Sequence, residues 1–162
     1  MKFFKKEYFE EMNEALLDNA FSKYQEYIEN NFSKFPVVLK ILAKYIFLHD
    51  GILKQIIYET RKNLLILEYI CGDLQFGYFG LKISCDLIKS FENSFLINLF
   101  QNKMIQILYD EIEVFNNKKF THSFLYENSS EIEIIFEKAS ILIWEESPKS
   151  FVPQKCKVII KE

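Results

Sequence analysis

The hydrophobic pattern of this chain changes period once, at His49-Asp50-Gly51, and that change restricts the fold more than any other feature. Ahead of it, apolar residues recur at steps of three and four, the spacing of one helix face. Tyr8, Phe9, Met12, Leu16 and Leu17 form a first set, opposite Glu10, Glu11 and Glu14. Phe21, Tyr24, Tyr27, Ile28 and Phe32 form a second. A third opens at Pro36, whose fixed φ and missing N–H suit a first helical position. Val37, Val38, Ile41, Leu42, Tyr45 and Ile46 continue it. His49-Asp50-Gly51 then stops the helix, with Gly51 expected as its left-handed cap.

Beyond Gly51 the period is that of strands. Ile52–Glu59 and Asn63–Cys71 flank Thr60-Arg61-Lys62 and read as a hairpin. Leu81, Ile83, Cys85 and Leu87 alternate with Lys82, Ser84 and Asp86, as in a half-buried strand. Met104–Phe115 alternates less cleanly, with Ile105, Ile107 and Tyr109 expected on one face. Asn116-Asn117-Lys118 is a turn, and Thr121–Tyr126 and Glu131–Glu137 flank another. Ser140–Trp144, a loop holding Pro148 and Pro153, and Cys156–Ile160 complete the chain, with Phe95–Gln101 either a short helix or a further strand. The count is about seven to eight strands with no helix between most of them, which favours antiparallel pairing over βαβ units. No Gly-, Pro- or Ser-rich linker divides the chain. The expected fold is therefore α+β in a single domain, 1–162. Its helical segment, 1–50, packs on a mainly antiparallel sheet or meander, 51–162.

Composition narrows the function. Only 4 Gly and 2 His occur, and Arg61 is the sole arginine. Phosphate-cradling loops need clustered Gly, and nucleic-acid backbones need basic stripes. A net charge of −3, with scattered Lys, supplies neither, so no nucleic acid is expected as a partner. Cys71, Cys85 and Cys156 lack metal or disulfide spacing and read as reduced thiols of a cytoplasmic protein. The charged opening lacks the form of a signal peptide. The apolar stretch 35–48 is broken by Lys40 and Lys44 and falls short of the roughly 20 residues of a membrane span. No cofactor is implied. Abundant Ile, Lys, Asn, Phe and Tyr is the usage of an AT-rich bacterial genome.

Three places carry groups that could do chemistry. His49-Asp50 has the form of a base or metal ligand with its orienting carboxylate, although a helix C-terminus also favours His and Asp. On the strand Tyr109-Asp110-Glu111-Ile112-Glu113, Tyr109, Glu111 and Glu113 share one face and Asp110 the other. Carboxylates on one face can bind a divalent cation, and the commoner role is a solvated edge that resists aggregation. His122 stands in the row of Phe124 and Tyr126, where a histidine is more often packed with its nitrogens satisfied. If His49, His122 and Asp110 converged, they would make a metal site or a hydrolytic pair. Gly77-Tyr78-Phe79-Gly80 is no phosphate loop and reads as a bulge or kink. No Gly-x-Ser-x-Gly elbow and no Cys–His pairing is present, and the chain leans away from an enzyme.

The opening Met1-Lys2-Phe3-Phe4-Lys5-Lys6-Glu7-Tyr8-Phe9-Glu10-Glu11-Met12, the junction Leu48-His49-Asp50, the stretch Leu108-Tyr109-Asp110-Glu111-Ile112 and the tail from Phe124-Leu125-Tyr126 to Glu133-Ile134-Ile135-Phe136 together resemble an uncharacterised family of bacterial proteins, rich in Firmicutes members. That family opens Met-Lys-Tyr/Phe-Phe and carries Leu-His-Asp and Leu-Tyr-Asp-Glu motifs. Its longer acidic helical insert and a Gly-Ala-Trp-Trp-like stretch are missing here. The family is a domain of unknown function, so the resemblance implies an architecture, draws interest to His49, Asp50, Asp110 and Glu111, and implies no activity.

Aromatic richness, small size and acidic surface favour a protein-binding module, in the manner of an immunity protein that holds a toxin or another basic partner, with Tyr109, Asp110, Glu111 and Glu113 as its face. The alternative is a small-molecule or divalent-metal site near His49, Asp50, Asp110 and His122. A homo-oligomer joined through an edge strand is the third possibility.

Overall fold

The computed structural model describes residues 1–11, 13–75, 77–86, 105–128, 130–147 and 156–161. The segment expected as helix or strand at 95–101 and the loop with Pro148 and Pro153 lie outside the described residues. The helical part comprises α1 (Lys6–Glu10), α2 (Glu14–Asn31), a 3-10 turn (Phe32–Lys34) and α3 (Val37–Tyr45). The first expected set of apolar residues is split, because Asn13 caps a new helix inside it. The Asn13 side chain accepts the Leu16 N–H at 3.2 Å, supplying one of the orphan donors of the first turn. Leu16 and Leu17 therefore continue into the Phe21–Phe32 set as α2.

Pro36 lies one residue outside α3 as its extended N-cap, and the helix ends at Tyr45 rather than at His49. The left-handed residue of the junction is Asp50, at φ 64°, and not Gly51. Asp tolerates that region because its short carboxylate can bond locally, and here it accepts the Gln106 side-chain N–H at 3.0 Å. Gly51 is required for a different reason. A Cβ there would stand 2.8 Å from the Leu48 carbonyl oxygen and 3.0 Å from the Cys71 Sγ.

The strands are β1 (Ile52–Glu59), β2 (Leu64–Asp73), β3 (Gly77–Asp86), β4 (Ile107–Asn116), β5 (Lys119–Tyr126), β6 (Glu131–Phe136), β7 (Lys138–Glu146) and β8 (Lys157–Lys161). They form two sheets, of order β7-β3-β2-β1-β8 and β4-β5-β6. Neighbours are antiparallel except β1 and β8, which run parallel from Gln55↔Lys157 to Glu59↔Lys161. The fold is thus α+β and mainly antiparallel, with one parallel pair that strand periodicity does not encode.

The two sheets are joined on both sides. β6 passes into β7 through Glu137 alone, whose N–H bonds the Asp86 carbonyl at 3.2 Å. On the other side the Asp50 and Leu53 N–H groups donate to Ile107 and Ile105, and the Ile107 N–H donates to Gly51, at 2.8–2.9 Å. The interior so enclosed holds Leu53, Leu67, Tyr69, Ile83, Phe124, Ile134 and Phe136, each at most 1% exposed. Ile28, Phe35, Leu39 and Leu42 of the helical part belong to the same buried cluster. Across it the hydroxyls of Tyr69 and Tyr126 meet at 3.0 Å, so a polar pair ties one sheet to the other inside an apolar core. Among the described residues, no helix is long and apolar enough to cross a membrane.

Gly80 is not a bulge. It stays in register opposite Trp144, and a Cβ there would stand 2.0 Å from the indole ring. Gly80→Ala should therefore displace the only tryptophan of the chain and destabilise the fold by about 1–3 kcal/mol, as overpacking does. Urea unfolding followed by Trp144 fluorescence measures both effects, and an unchanged midpoint with an unchanged native spectrum would contradict this packing.

Cys71, Cys85 and Cys156 are free and buried, and burial pushes each thiol up to about 12. The thiolate is the reactive form, so a disulfide reagent at pH 8 should label the native protein far more slowly than the urea-unfolded chain. Each thiol ionises near 9 when unfolded but only near 12 when folded, so the folded state holds more protons in that window. Stability should accordingly be intact below about pH 9 and fall as pH rises beyond it. Labelling at equal rates in the two states would refute this burial.

Candidate functional site

The site is built on β4, which deviates from regular pairing at its start. The register shifts between Ile107 and Tyr109, and the shift inverts the alternation of side chains. Ile105 and Ile107 point into the core, while Tyr109 leaves their row, contrary to the expectation that the three share a face. Asp110 takes the core side instead, opposite Phe124 and diagonal to His122. Its Oδ2 lies 2.8 Å from the His122 Nε2. The His122 ring is 1% exposed and tilts against Phe124 at 4.0 Å. Its other nitrogen, Nδ1, is buried without a partner among the described residues, so there the packed histidine expected from the sequence has one nitrogen satisfied and one not.

The acidic row on the opposite face is not a solvated edge. Glu111 is fully buried, and its carboxylate accepts the backbone N–H groups of Lys2, of Phe3 at 2.9 Å and of Phe4 at 3.3 Å. Burial pushes this carboxyl above its ordinary range, and the three amide bonds draw it part of the way back. Glu113 pairs with the Lys2 ammonium at 3.2 Å, and Glu131 with the Met1 amino group at 3.0 Å. The chain's own opening segment therefore lies across the face proposed for a basic partner. It also explains why Thr121 and Ser123, on the same side of β5, are buried.

That segment places the aromatic rings. Phe4 is 1% exposed, stacks on Tyr109 at 4.7 Å and meets Phe21 edge-on at 5.0 Å. Phe3 sits between Tyr24 and Tyr27, at 5.4 and 5.3 Å. The hydroxyls of these two tyrosines accept the N–H groups of Ile112, at 2.7 Å, and Val114, at 2.9 Å, on the outer edge of β4. Burial, and next the charge of Asp110, hold the Tyr24 phenol well above its ordinary range, so it stays protonated.

Between the part of β4 bonded to Gly51 and the part bonded to Tyr24 lies a cavity of about 390 Å³. Leu108, Tyr109 and Asp110 form its floor; Phe4, Phe21, Tyr24 and Leu42 wall it; Phe47 and His49 stand at residues 47–49 on its other side. His49 meets the Tyr109 ring edge-on at 5.4 Å, and its Nδ1 lies 3.1 Å from Asp50. Of the residues singled out from the sequence, His49, Tyr109 and Asp110 thus line one cavity, and His122 stands behind Asp110. Asp50 is turned to Gln106 and His49, and Glu111 and Glu113 face the opening segment. Among the described residues, no group of three or more His, Cys, Asp or Glu is placed to hold a metal ion.

Phe4, Phe21, Tyr24 and Phe47 were not candidates from sequence. The spacing of Phe21 and Tyr24 marks a buried helix face, and only the gap in β4 pairing turns that face into a cavity wall. Compared with protein-family models, curated proteins and solved structures, the chain matches none.

Removing the Glu111 carboxylate leaves three amides without an acceptor. Glu111→Ala should cost about 3 kcal/mol and free the opening segment for proteolysis ahead of global unfolding. Urea midpoints and limited proteolysis with N-terminal sequencing test this. A midpoint within error of the parent would mean that Glu111 does not hold the segment.

Proposed function

We propose that this protein works by binding, and that its site is the cavity on β4 between α2, α3 and residues 46–49. Its ligand is a small organic molecule with an apolar or aromatic body. One observation carries this reading: aromatic and aliphatic walls converge on few polar groups, His49 and Asp110 among them, in a concave site of ligand size. A catalytic reading has less support. In the described hydrogen bonds no nucleophile is tied to the His122–Asp110 pair, whose imidazole has an unpartnered Nδ1. The three buried free thiols suit a reducing, cytoplasmic setting.

A protein partner is the second reading, favoured by Tyr45 and Phe47, which are 73% and 77% exposed beside the cavity. Aromatic anchors of this kind dominate protein interfaces. An immunity-like role would use this rim, because Glu111 and Glu113 are engaged by the opening segment.

A fragment screen by two-dimensional NMR tests the leading reading, with Ala43→Trp as a variant that fills the cavity. Fragments that shift Tyr109 and His49 should raise the melting temperature of the parent by mass action and leave that of Ala43→Trp unchanged. A screen in which no fragment moves the cavity resonances of a folded sample would overturn the small-ligand reading and leave the rim.

A further inference from the structure

Resting on the reading of this cavity as a ligand site, we infer that its ligand is an organic cation, an ammonium or guanidinium on an apolar body. Asp110 lines the cavity with 21% of its side chain exposed, and the group bonded to it is His122. A doubly protonated His122 ring would carry an Nδ1–H donor into the core with no acceptor for it among the described residues. The neutral ring, with its proton on Nε2 and donated to Asp110, leaves no donor unpaired. That form also leaves the carboxylate's charge uncompensated by the pair.

In the walls, the imidazole of His49 is turned to Asp50, its Nδ1 at 3.1 Å from that carboxylate, and not to Asp110. Of the described residues that line the cavity, none is Lys or Arg. They include the rings of Phe21, Tyr24, Phe47 and Tyr109, and aromatic faces carry the negative end of a quadrupole. A carboxylate at an apolar, aromatic wall attracts a cation twice, through its charge and through the rings. The same surroundings penalise an anion and give a neutral ligand no charge to meet. A bare metal ion is disfavoured for another reason. Hard cations need several oxygen ligands, and among the described lining residues Asp110 is the one carboxylate. An organic cation needs one counter-charge and an apolar envelope.

The test uses a matched pair of probes, choline and its neutral carbon isostere 3,3-dimethylbutan-1-ol, titrated into the full chain and followed by NMR at Tyr109, Phe47 and Leu108. Choline should bind at least about tenfold more tightly than the alcohol, as a partly desolvated cation–π and carboxylate site requires. Two variants should erase that preference. Asp110→Asn keeps a hydrogen bond to His122 without the charge. Gln25→Lys, at an exposed position of the cavity rim, adds a cation without touching the core and should weaken choline while sparing the alcohol. Equal affinities for the two probes at these residues would overturn the cationic ligand and leave the cavity as a ligand site. No shift with either probe at millimolar concentration would also overturn it, and the fragment screen then judges the cavity separately.

Discussion

A strand at the rim of a sheet must find partners for the N–H and C=O groups on its outer edge, and β4 finds them in separate places. At its start the residues before β1 take the role of a neighbouring strand. Farther on, two tyrosine hydroxyls from α2 accept the amides of Ile112 and Val114. The stretch between these two solutions contains the register shift, and the cavity opens there. A continuous neighbouring strand would have satisfied the whole edge and left no site. The inversion at Tyr109 and the entry of Asp110 into the core row accompany this divided edge through the register shift against β5.

The second constraint is electrostatic. A carboxylate removed from water must be supplied with donors or give up its charge. Glu111 obtains three backbone amides from the opening of the chain, which are otherwise unpaired because that segment is neither helix nor strand. One buried group thus solves two problems. It also fixes Phe3 and Phe4, whose rings join Tyr24, Tyr27 and Tyr109 in a single aromatic layer. Among the described residues, that layer and the core between the sheets take up many of the aromatic rings.

Asp110 and Glu111 are adjacent in sequence and opposite in fate. One faces the opening segment and is neutralised by amide dipoles. The other faces the interior and borders a cavity with a single imidazole behind it. This difference separates a carboxylate covered by the chain itself from one that borders a cavity.

The sequence by itself determined the class of fold. Helical periodicity to residue 48, alternation after it and the absence of a linker predict three helices on mainly antiparallel strands, and the strands stand within a few residues of their expected limits. It also determined that Asp110 and Glu111 point to opposite faces and that His122 shares the row of Phe124, because strand parity is local. Only the tertiary structure decided which strands pair, that β8 runs parallel to β1, and that two sheets close around one core, since pairing depends on contacts between residues far apart in the chain. Only it decided that Asp50 and not Gly51 takes the left-handed conformation, because the Gln106 side chain that bonds the Asp50 carboxylate comes from elsewhere in the chain. The burial of Glu111 and the cavity have the same origin. A carboxylate reads as solvated in any local window, and a core-facing helix reads as filled. The partner that covers the first, and the missing strand that empties the space beside the second, exist only in three dimensions.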